Sequence, residues 1–184
     1  DYYLFWRAFQ NEADLFRSLP PVNWTWKQIY GFYDDLQSSV TNIPVGYGDV
    51  SNPAGGFIGF WTKAQDCDTI YFKDVGLNLY LQIEAAEKES TTLKICLKMV
   101  TKADNETSEN LTSARNMLIY QGKAEYRFTE YGFDRPEKIY PGKYMTVGVM
   151  NKDYKSAEEV KMAFLDAVQR MKKIISDLIT KVSI

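Results

Sequence analysis

The 184-residue chain contains no histidine and only two cysteines, Cys67 and Cys96. Without histidine, a Ser/His/Asp triad, a Cys/His nucleophile pair and a zinc site of the usual His/Cys kind are excluded. Two cysteines could form one disulfide bond, but no secretion signal accompanies them, which favours two reduced thiols. Any hydrolytic chemistry would therefore depend on carboxylates and lysines.

The sequence also has little net charge and no long apolar run. Its 22 basic and 24 acidic residues give a net charge of −2, so no broad electrostatic attraction to nucleic acid or to a membrane is expected, and only a local patch could provide one. No apolar run approaches the roughly 18 residues of a membrane-spanning helix, and no signal-peptide pattern opens the chain. These absences predict a cytoplasmic protein without a membrane partner.

What the sequence does contain is enough apolar material for a packed core. Hydrophobic residues make up 45% of the chain and aromatic residues 15%, which argues against disorder.

The length predicts a single domain over residues 1–184, with a helical arm over residues 1–40 and a sheet-and-helix body over residues 41–184. Because the chain begins at Asp1 without a methionine, we expect it to be the C-terminal part of a longer protein.

Residue periodicity predicts an α+β fold with a small, mainly antiparallel sheet, flanking amphipathic helices and a long C-terminal helix. Apolar residues at spacings of three and four predict helices over residues 4–19, from a cap at Asn23 to Val40, over residues 106–121, and from a cap at Ser156 onward. Alternating patterns predict strands over residues 77–84 and 93–100, and the first of these is expected to be half-buried. A short aromatic segment predicts a strand over residues 57–63, and Thr146, Val147 and Val149 mark another over residues 144–150. Residues 41–56, rich in glycine and proline, are expected to form a turn-rich link.

The stretch from Asn52 to Trp61 places three glycines beside three aromatic residues. Gly55 and Gly56 predict a turn that bulky residues cannot form, and Gly59 would allow close approach of another group within the strand that follows. Phe57, Phe60 and Trp61 are expected to be mostly buried in a central strand. The alternative is a binding surface, whose candidate residues are Gly55, Gly56, Phe57, Gly59, Phe60 and Trp61.

A second set of candidates could act in catalysis. Metal-dependent nucleases of the PD-(D/E)XK type use an Asp on one strand and an acid-x-Lys sequence on the next strand to hold a divalent cation and activate water. Here Asp74 and Glu84 flank one predicted strand, and Lys94 and Lys98 lie on the next. The spacing does not fit, because Cys96 and Thr92 occupy the acid positions, and a cross-strand ion pair is the ordinary outcome for such residues.

The final helix carries Arg170, Lys172 and Lys173, which could contact nucleic acid. Asp166, Arg170, Lys173, Asp177 and Lys181 follow one another at spacings of three and four. Such pairs are typical of a solvated helix face and favour that interpretation over a nucleic-acid site.

The order of several segments resembles the C-terminal region of a group of bacterial PD-(D/E)XK superfamily proteins. The resemblance rests on the helix over residues 26–36, on Tyr47 and Val50, and on residues 51–61, which read Ser-Asn-Pro-Ala-Gly-Gly-Phe-Ile-Gly-Phe-Trp. Residues 80–84 and 93–98 resemble the two strands that follow in that group. The similarity spans roughly residues 24–100, with a weaker likeness through the final helix.

In that group the catalytic signature precedes the matched region, so the resemblance transfers no catalytic residue to this chain. It implies a non-catalytic accessory or interaction module linked to DNA processing or phage defence, without a cofactor. Its partner would be a nuclease core or another protein chain, with nucleic acid as a further candidate. The alternative is a free-standing, Mg²⁺-dependent nuclease with a rearranged site built from Asp74, Glu84 and Lys94 or Lys98.

Overall fold

The computed structural model describes residues 2–53, 55–101 and 108–182, and these residues form an α+β fold. The helices are α1 (Tyr2–Ala13), α2 (Trp26–Ser39), α3 (Ser108–Ile119) and α4 (Ala157–Val182). The strands are β1 (Val45–Val50), β2 (Phe57–Thr62), β3 (Ile70–Phe72), β4 (Val75–Ala86), β5 (Thr92–Thr101), β6 (Tyr120–Gln121), β7 (Glu125–Tyr126) and β8 (Tyr144–Met150).

Six strands form one sheet, in the order β1-β2-β4-β5-β8, with β3 paired to β4. β2 pairs in an antiparallel manner with both β1 and β4, β3 pairs likewise with β4, and β6 and β7 form a separate antiparallel pair. The predicted fold class, a mainly antiparallel sheet with flanking helices and a long C-terminal helix, is confirmed.

The chain divides into two compact units, each built from three segments. The first unit comprises Asp1–Thr62, Gln82–Ile95 and Lys152–Asp166, and the second comprises Lys63–Leu81, Cys96–Asn151 and Ala167–Ile184. The predicted domain organisation, with its helical arm over residues 1–40, stays a prediction.

The core of the first unit is aromatic. In α2, Ile29, Phe32, Tyr33 and Leu36 recur at spacings of three and four and are fully buried. Phe32 packs against the rings of Phe16 and Trp24, with centroids 5.8 Å and 4.8 Å away. α2 also packs on β1 and β2, so one face of this helix positions the sheet residues discussed below.

The N-cap of helix α2 lies two residues later than predicted. Asn23 ends a short 3-10 turn, Pro21–Asn23, and the chain is extended at Trp24 and Thr25. Thr25 is therefore the N-cap, and its backbone N–H donates to Gln28 Oε1 at 2.9 Å. The cap predicted at Asn23 is wrong, because the Pro20-Pro21 pair starts its own turn first.

Helix α4 begins as predicted. The backbone N–H of Glu159 donates to Ser156 Oγ at 3.2 Å, and the backbone N–H of Lys155 donates to the Glu159 carboxylate at 3.0 Å. The buried stripe of α4 follows the predicted spacing and comprises Val160, Phe164, Ala167, Val168, Met171, Ile174, Ile175 and Leu178.

Helices α1 and α3 are shorter than predicted. α1 ends at Ala13, and a 3-10 turn over Asp14–Arg17 follows it. In α3, Ala114 and Leu118 are buried as expected, but Met117 is 40% exposed. The apolar spacing of this helix predicts that Leu111, Ala114, Met117 and Leu118 face inward, and for Met117 that prediction is wrong. Residues 106 and 107 of the predicted helix lie outside the described residues.

Strand β4 is buried on both faces, so the prediction of a half-buried strand is wrong. In the second unit, Leu77 and Leu79 are fully buried, and Asn78 between them is also buried. The Asn78 side-chain amide donates to the carbonyl oxygens of Ala64 and Cys67 at 3.2 Å and 2.9 Å. A loop thus covers the polar face and satisfies its hydrogen bonds, which allows an amide to be buried there.

The expected link over residues 41–56 contains a strand, β1, that the sequence did not predict. The two-residue turn between β3 and β4 was also missed. It consists of Lys73 and Asp74, whose φ angles are 48° and 68°. Positive φ at both central residues is the geometry of a tight hairpin turn that matches strand twist.

Candidate interaction surface

The hairpin that joins β1 to β2 explains the predicted turn glycines. Gly55 and Gly56 have φ angles of 108° and 85°, which disfavour other residues. A Cβ atom at Gly56 would lie 2.6 Å from the carbonyl oxygen of Val50, so only glycine fits. The backbone N–H of Gly56 donates to Asn52 Oδ1 at 3.2 Å, which closes the turn.

Beyond the turn, Trp61 lies across glycines of the neighbouring strand. Gly46 is directly opposite Trp61, and Gly48 is opposite Gly59. A Cβ atom at Gly46 would lie 3.2 Å from Trp61 Nε1, and one at Gly48 would lie 4.0 Å from the far edge of the same ring. The indole therefore covers the backbone of β1 where side chains are missing, as aromatic residues commonly do beside strand glycines.

Gly59 has a similar role within β2. A Cβ atom there would lie 3.2 Å from both the Phe57 ring and Gln82 Nε2, and 3.1 Å from Val50. Directly opposite residues in an antiparallel sheet point to the same face, so Phe57, Gly59 and Trp61 share one face with Gln82 and Glu84 of β4. We call this face, defined by Gly46, Gly48, Phe57, Gly59, Trp61, Gln82 and Glu84, the glycine-aromatic face.

Phe60 points the opposite way and belongs to the core. Its side chain is fully buried against Tyr33, Tyr47 and Phe164, with ring centroids 5.4, 6.1 and 5.3 Å away. The burial predicted for Phe60 is confirmed. Phe57 and Trp61 are less deeply buried than Phe60. Of the predicted binding residues, Phe57, Gly59 and Trp61 therefore share one surface and Phe60 does not.

The residues of the alternative catalytic set are placed as follows. Asp74 is exposed in the two-residue turn before β4, and Glu84 is half-buried opposite Gly59. Lys94 is exposed near the start of β5, and Lys98 is half-buried in the same strand. Within residues 2–53, 55–101 and 108–182, no group of three or more acidic or cysteine side chains is arranged to hold a metal ion. The assignment of this set to catalysis stays a prediction.

Both cysteines are free thiols, with Cys96 buried and Cys67 half-buried. Burial raises the pKa of the Cys67 thiol to about 11, and the charges of Asp66 and Asp68 add to this effect. At neutral pH Cys67 is therefore protonated and a poor nucleophile.

The basic residues of α4 do not form an isolated basic patch. Arg170 donates to the carbonyl oxygen of Tyr131 at 2.9 Å, and the Tyr131 hydroxyl donates to Asp177 at 2.7 Å. Lys172 and Lys173 are exposed. Arg170 and Asp177 thus hold the 3-10 turn over Arg127–Tyr131.

A cleft in the first unit contains functional candidates that the sequence reasoning did not identify. It has a volume of about 880 Å³, and Tyr30 and Asp34 from α2 and Tyr47 from β1 are among the residues that line it. The Tyr30 hydroxyl donates to Asp49 Oδ1 at 3.0 Å, and the Tyr47 hydroxyl donates to Asp34 Oδ1 at 3.3 Å. The sequence does not establish this arrangement, because its glycines and prolines over residues 41–56 predict a link in place of β1. Within the sequence, the only local indication of these hydrogen bonds is the Tyr-Gly-Asp segment of residues 47–49, which places a hydroxyl and a carboxylate close together.

Burial and the neighbouring carboxylates keep these two hydroxyls protonated. The pKa of Tyr30 is raised by burial first and then by its hydrogen bond to Asp49 and the charge of that residue. The pKa of Tyr47 is raised by burial first and then by the charge of Asp34 and its hydrogen bond. Both tyrosines therefore act as hydrogen-bond donors at neutral pH.

Across the described residues, no helix combines the length and apolar composition that a membrane crossing requires. No protein-family model, no curated protein and no solved structure matches this chain.

Proposed function

We propose that this chain is a non-catalytic interaction module of a bacterial cytoplasmic protein and that it docks a nuclease core of the PD-(D/E)XK type. The observation that carries the proposal is the pair of half-buried aromatic residues, Phe57 and Trp61, on the glycine-aromatic face. The resemblance of residues 24–100 to the C-terminal region of such proteins supplies the class of partner.

The glycine-aromatic face has the properties of a protein-binding surface. Gly46 and Gly48 keep the backbone flat, and the Trp61 ring already lies against them. A ring that is held before binding loses little conformational entropy when a partner covers it. Aromatic residues are enriched at interface centres, and tryptophan is among the residues that contribute most to binding.

Two polar side chains of β4 adjoin the aromatic pair, with Gln82 buried and Glu84 half-buried. Gln82 lies opposite Trp61, and Glu84 lies opposite Gly59. In this proposal Glu84 contributes to docking and not to metal binding, and the module requires no cofactor. Mg²⁺ enters only in the alternative, a nuclease with a rearranged site.

Binding should be measured with a purified bacterial PD-(D/E)XK catalytic core from which the region resembling residues 24–100 has been removed. Size-exclusion chromatography with light scattering should reveal a complex of the summed mass. A Phe57→Ser/Trp61→Ser double variant should bind at least about tenfold more weakly, since both aromatic anchors are lost. Tyr71→Ser is the matched control, because Tyr71 is an exposed aromatic residue on β3.

Two results would contradict docking through this face: no complex with such cores, or equal affinity for the double variant and the Tyr71→Ser control. Melting temperatures of all variants establish that the folded chain is being compared. The same chromatography with a short DNA duplex tests nucleic acid as the partner, and a mass increase with DNA alone would replace the proposed partner.

The non-catalytic part of the proposal has a separate test. The purified chain, incubated with plasmid and oligonucleotide substrates and with Mg²⁺ or Mn²⁺, should produce no cleavage. Cleavage that disappears in Glu84→Ala and Lys94→Ala variants would establish the alternative, a rearranged metal-dependent nuclease.

A further inference from the structure

The cleft of the first unit lies between α1, the 3-10 turn that follows it, α2 and β1. Its volume of about 880 Å³ is within the range of small-molecule and peptide side-chain sites. Trp6, Arg7 and Phe9 on α1 line one side, and Tyr30, Asp34 and Tyr47 line the other. It is separate from the glycine-aromatic face, because Tyr47 and Phe60 point to the opposite side of the sheet.

Two carboxylates, Asp34 in the lining of the cleft and Asp49 outside it, bind tyrosines of the cleft. Asp34 and Asp49 each accept a hydrogen bond from a tyrosine hydroxyl, which is a neutral donor. Asp35, by contrast, is paired with Arg17 at 2.9 Å and with Lys161 at 3.7 Å. Within the described parts of the chain, neither Asp34 nor Asp49 has a cationic partner.

A continuous series of aromatic rings leads from solvent to these carboxylates. The rings of Trp6 and Phe9 are stacked, with centroids 5.8 Å apart and planes at 13°. Phe9 contacts Trp26, Trp26 contacts Tyr30, and Tyr30 contacts Tyr47, at centroid distances of 5.6, 6.4 and 6.1 Å. Trp6 lines the cleft and is 49% exposed, so the ring face that is not stacked on Phe9 is accessible to a ligand. Trp26 is outside the lining, and Lys27 Nζ lies 5.8 Å from its ring centroid.

The charge balance of the cleft selects the ligand. Three carboxylates, Asp14, Asp34 and Asp35, line it with two guanidinium groups, Arg7 and Arg17. Arg17 is already paired with Asp14 and Asp35. Asp35 is also paired with Lys161, so Asp34, whose hydrogen-bond donor is a neutral hydroxyl, is the carboxylate that would repel a phosphate and attract a cation, and the aromatic rings add to that attraction.

A guanidinium group matches this combination better than an ammonium group does. It is planar and stacks on aromatic rings, it is more weakly hydrated, and it binds a carboxylate through two parallel hydrogen bonds. We propose that the cleft binds a guanidinium group, which stacks on the aromatic rings and forms an ion pair with Asp34, with Asp49 adding to the attraction.

The guanidinium group could belong to an arginine side chain of a partner protein or to a free guanidino compound. Two probes separate these sources: a capped tripeptide with a central arginine, and agmatine. Matched controls are the same tripeptide with citrulline, which is neutral and of nearly equal shape, and with lysine. Titration can be followed by calorimetry and by amide chemical shifts of residues 6–9 and 30–34.

We expect at least one guanidinium probe to bind, the lysine peptide to bind more weakly, and the citrulline peptide not to bind measurably. Binding of the tripeptide but not of agmatine would identify a protein side chain as the ligand, and the reverse would identify a small molecule. Equal binding of the arginine and citrulline peptides, or no binding of either guanidinium probe, would overturn the proposal.

Two variants test the position of the site. Asp34→Asn should weaken binding of the guanidinium probe at least about tenfold, because the ion pair is lost while the shape is kept. Asp153→Asn removes an exposed carboxylate of the same unit outside the cleft and should leave the affinity within about twofold. Equal affinities of the two variants, at unchanged melting temperatures, would contradict a role for Asp34.

Discussion

Phe60 and Trp61 are neighbours in β2 and have opposite environments. Successive side chains of a strand point to opposite faces of the sheet, so Phe60 enters the aromatic core while Trp61 lies over Gly46 and Gly48. The two side chains therefore differ in what they pack against, and truncating each one should change the free energy of unfolding by a different amount.

Replacement of Phe60 by alanine should lower the free energy of unfolding by about 3–5 kcal/mol, since a fully buried ring leaves a cavity among Tyr33, Tyr47 and Phe164. Replacement of Trp61 by alanine should cost about 1–2 kcal/mol, because the half-buried ring already contacts solvent. Urea denaturation followed by far-ultraviolet circular dichroism measures both. Equal losses for the two variants would mean that Trp61 is as deeply packed as Phe60.

At the scale of elements, the last turn of α3 is capped by Arg127, which belongs to the 3-10 turn over Arg127–Tyr131. The buried Arg127 side chain donates to the carbonyl oxygens of Met117, Leu118 and Tyr120, at 2.9, 2.8 and 3.1 Å. A cation at this end complements the helix dipole, and the three bonds satisfy carbonyl groups that have no partner within the helix. Burial lowers the pKa of Arg127, but arginine stays charged at neutral pH.

Arg127→Met should therefore destabilise the fold by at least about 1.5–3 kcal/mol, the usual contribution of hydrogen bonds to a charged group. Arg135→Met is a suitable control, since Arg135 also contacts Tyr120, through its hydroxyl group, but is exposed. That variant should change stability by less than about 0.5 kcal/mol. A similar small change for Arg127→Met would show that water replaces the guanidinium group as the cap.

At the scale of the whole molecule, stability should decline at alkaline pH because tyrosine is buried. Burial raises the pKa of Tyr33 well above 10, and the nearby charge of Glu84 adds to this rise. Below pH 10 the hydroxyl is protonated in both the folded and the unfolded chain. Above pH 10 the unfolded chain releases this proton and the folded chain retains it, so the free energy of unfolding falls as pH rises toward the folded pKa.

The expected slope from Tyr33 alone is about 1.4 kcal/mol per pH unit above pH 10. In Tyr33→Phe this contribution is removed, so stability should decline less steeply over the same range. The variant should also lose about 1 kcal/mol at neutral pH, because the Tyr33 hydroxyl donates to the carbonyl oxygen of Ile58 at 2.9 Å. Denaturant titrations between pH 8 and 11 compare the two chains, and an unchanged slope in the variant would refute the linkage.

Features with a local physical cause could be read from the amino-acid sequence. The start of α4 follows from Ser156 and Glu159, and its buried face follows from apolar residues at spacings of three and four. The alternation of residues in β4, β5 and β8 was sufficient to identify these strands. Gly55 and Gly56 marked a turn because few other residues adopt positive φ.

The features that were missed depend on residues brought together by folding. Gly46 and Gly48 favoured a link over a strand, and a strand forms there because the Trp61 ring supplies the contacts that their missing side chains would make. Asn78 suggested an exposed strand face. It is buried because the carbonyl oxygens of Ala64 and Cys67 accept hydrogen bonds from its side-chain amide. Tyr30 and Asp49 are 19 positions apart, and only the packing of α2 on β1 joins them.

The sequence by itself thus determined the α+β class, the amphipathic helices and most of the sheet, since these depend on periodicity within one element. The tertiary structure alone decided which face of β2 contains the half-buried aromatic pair and which carboxylates gather at the cleft. The physical reason is that burial, hydrogen bonding and charge pairing depend on distances in space, and residues far apart in the chain acquire those distances only when the elements pack.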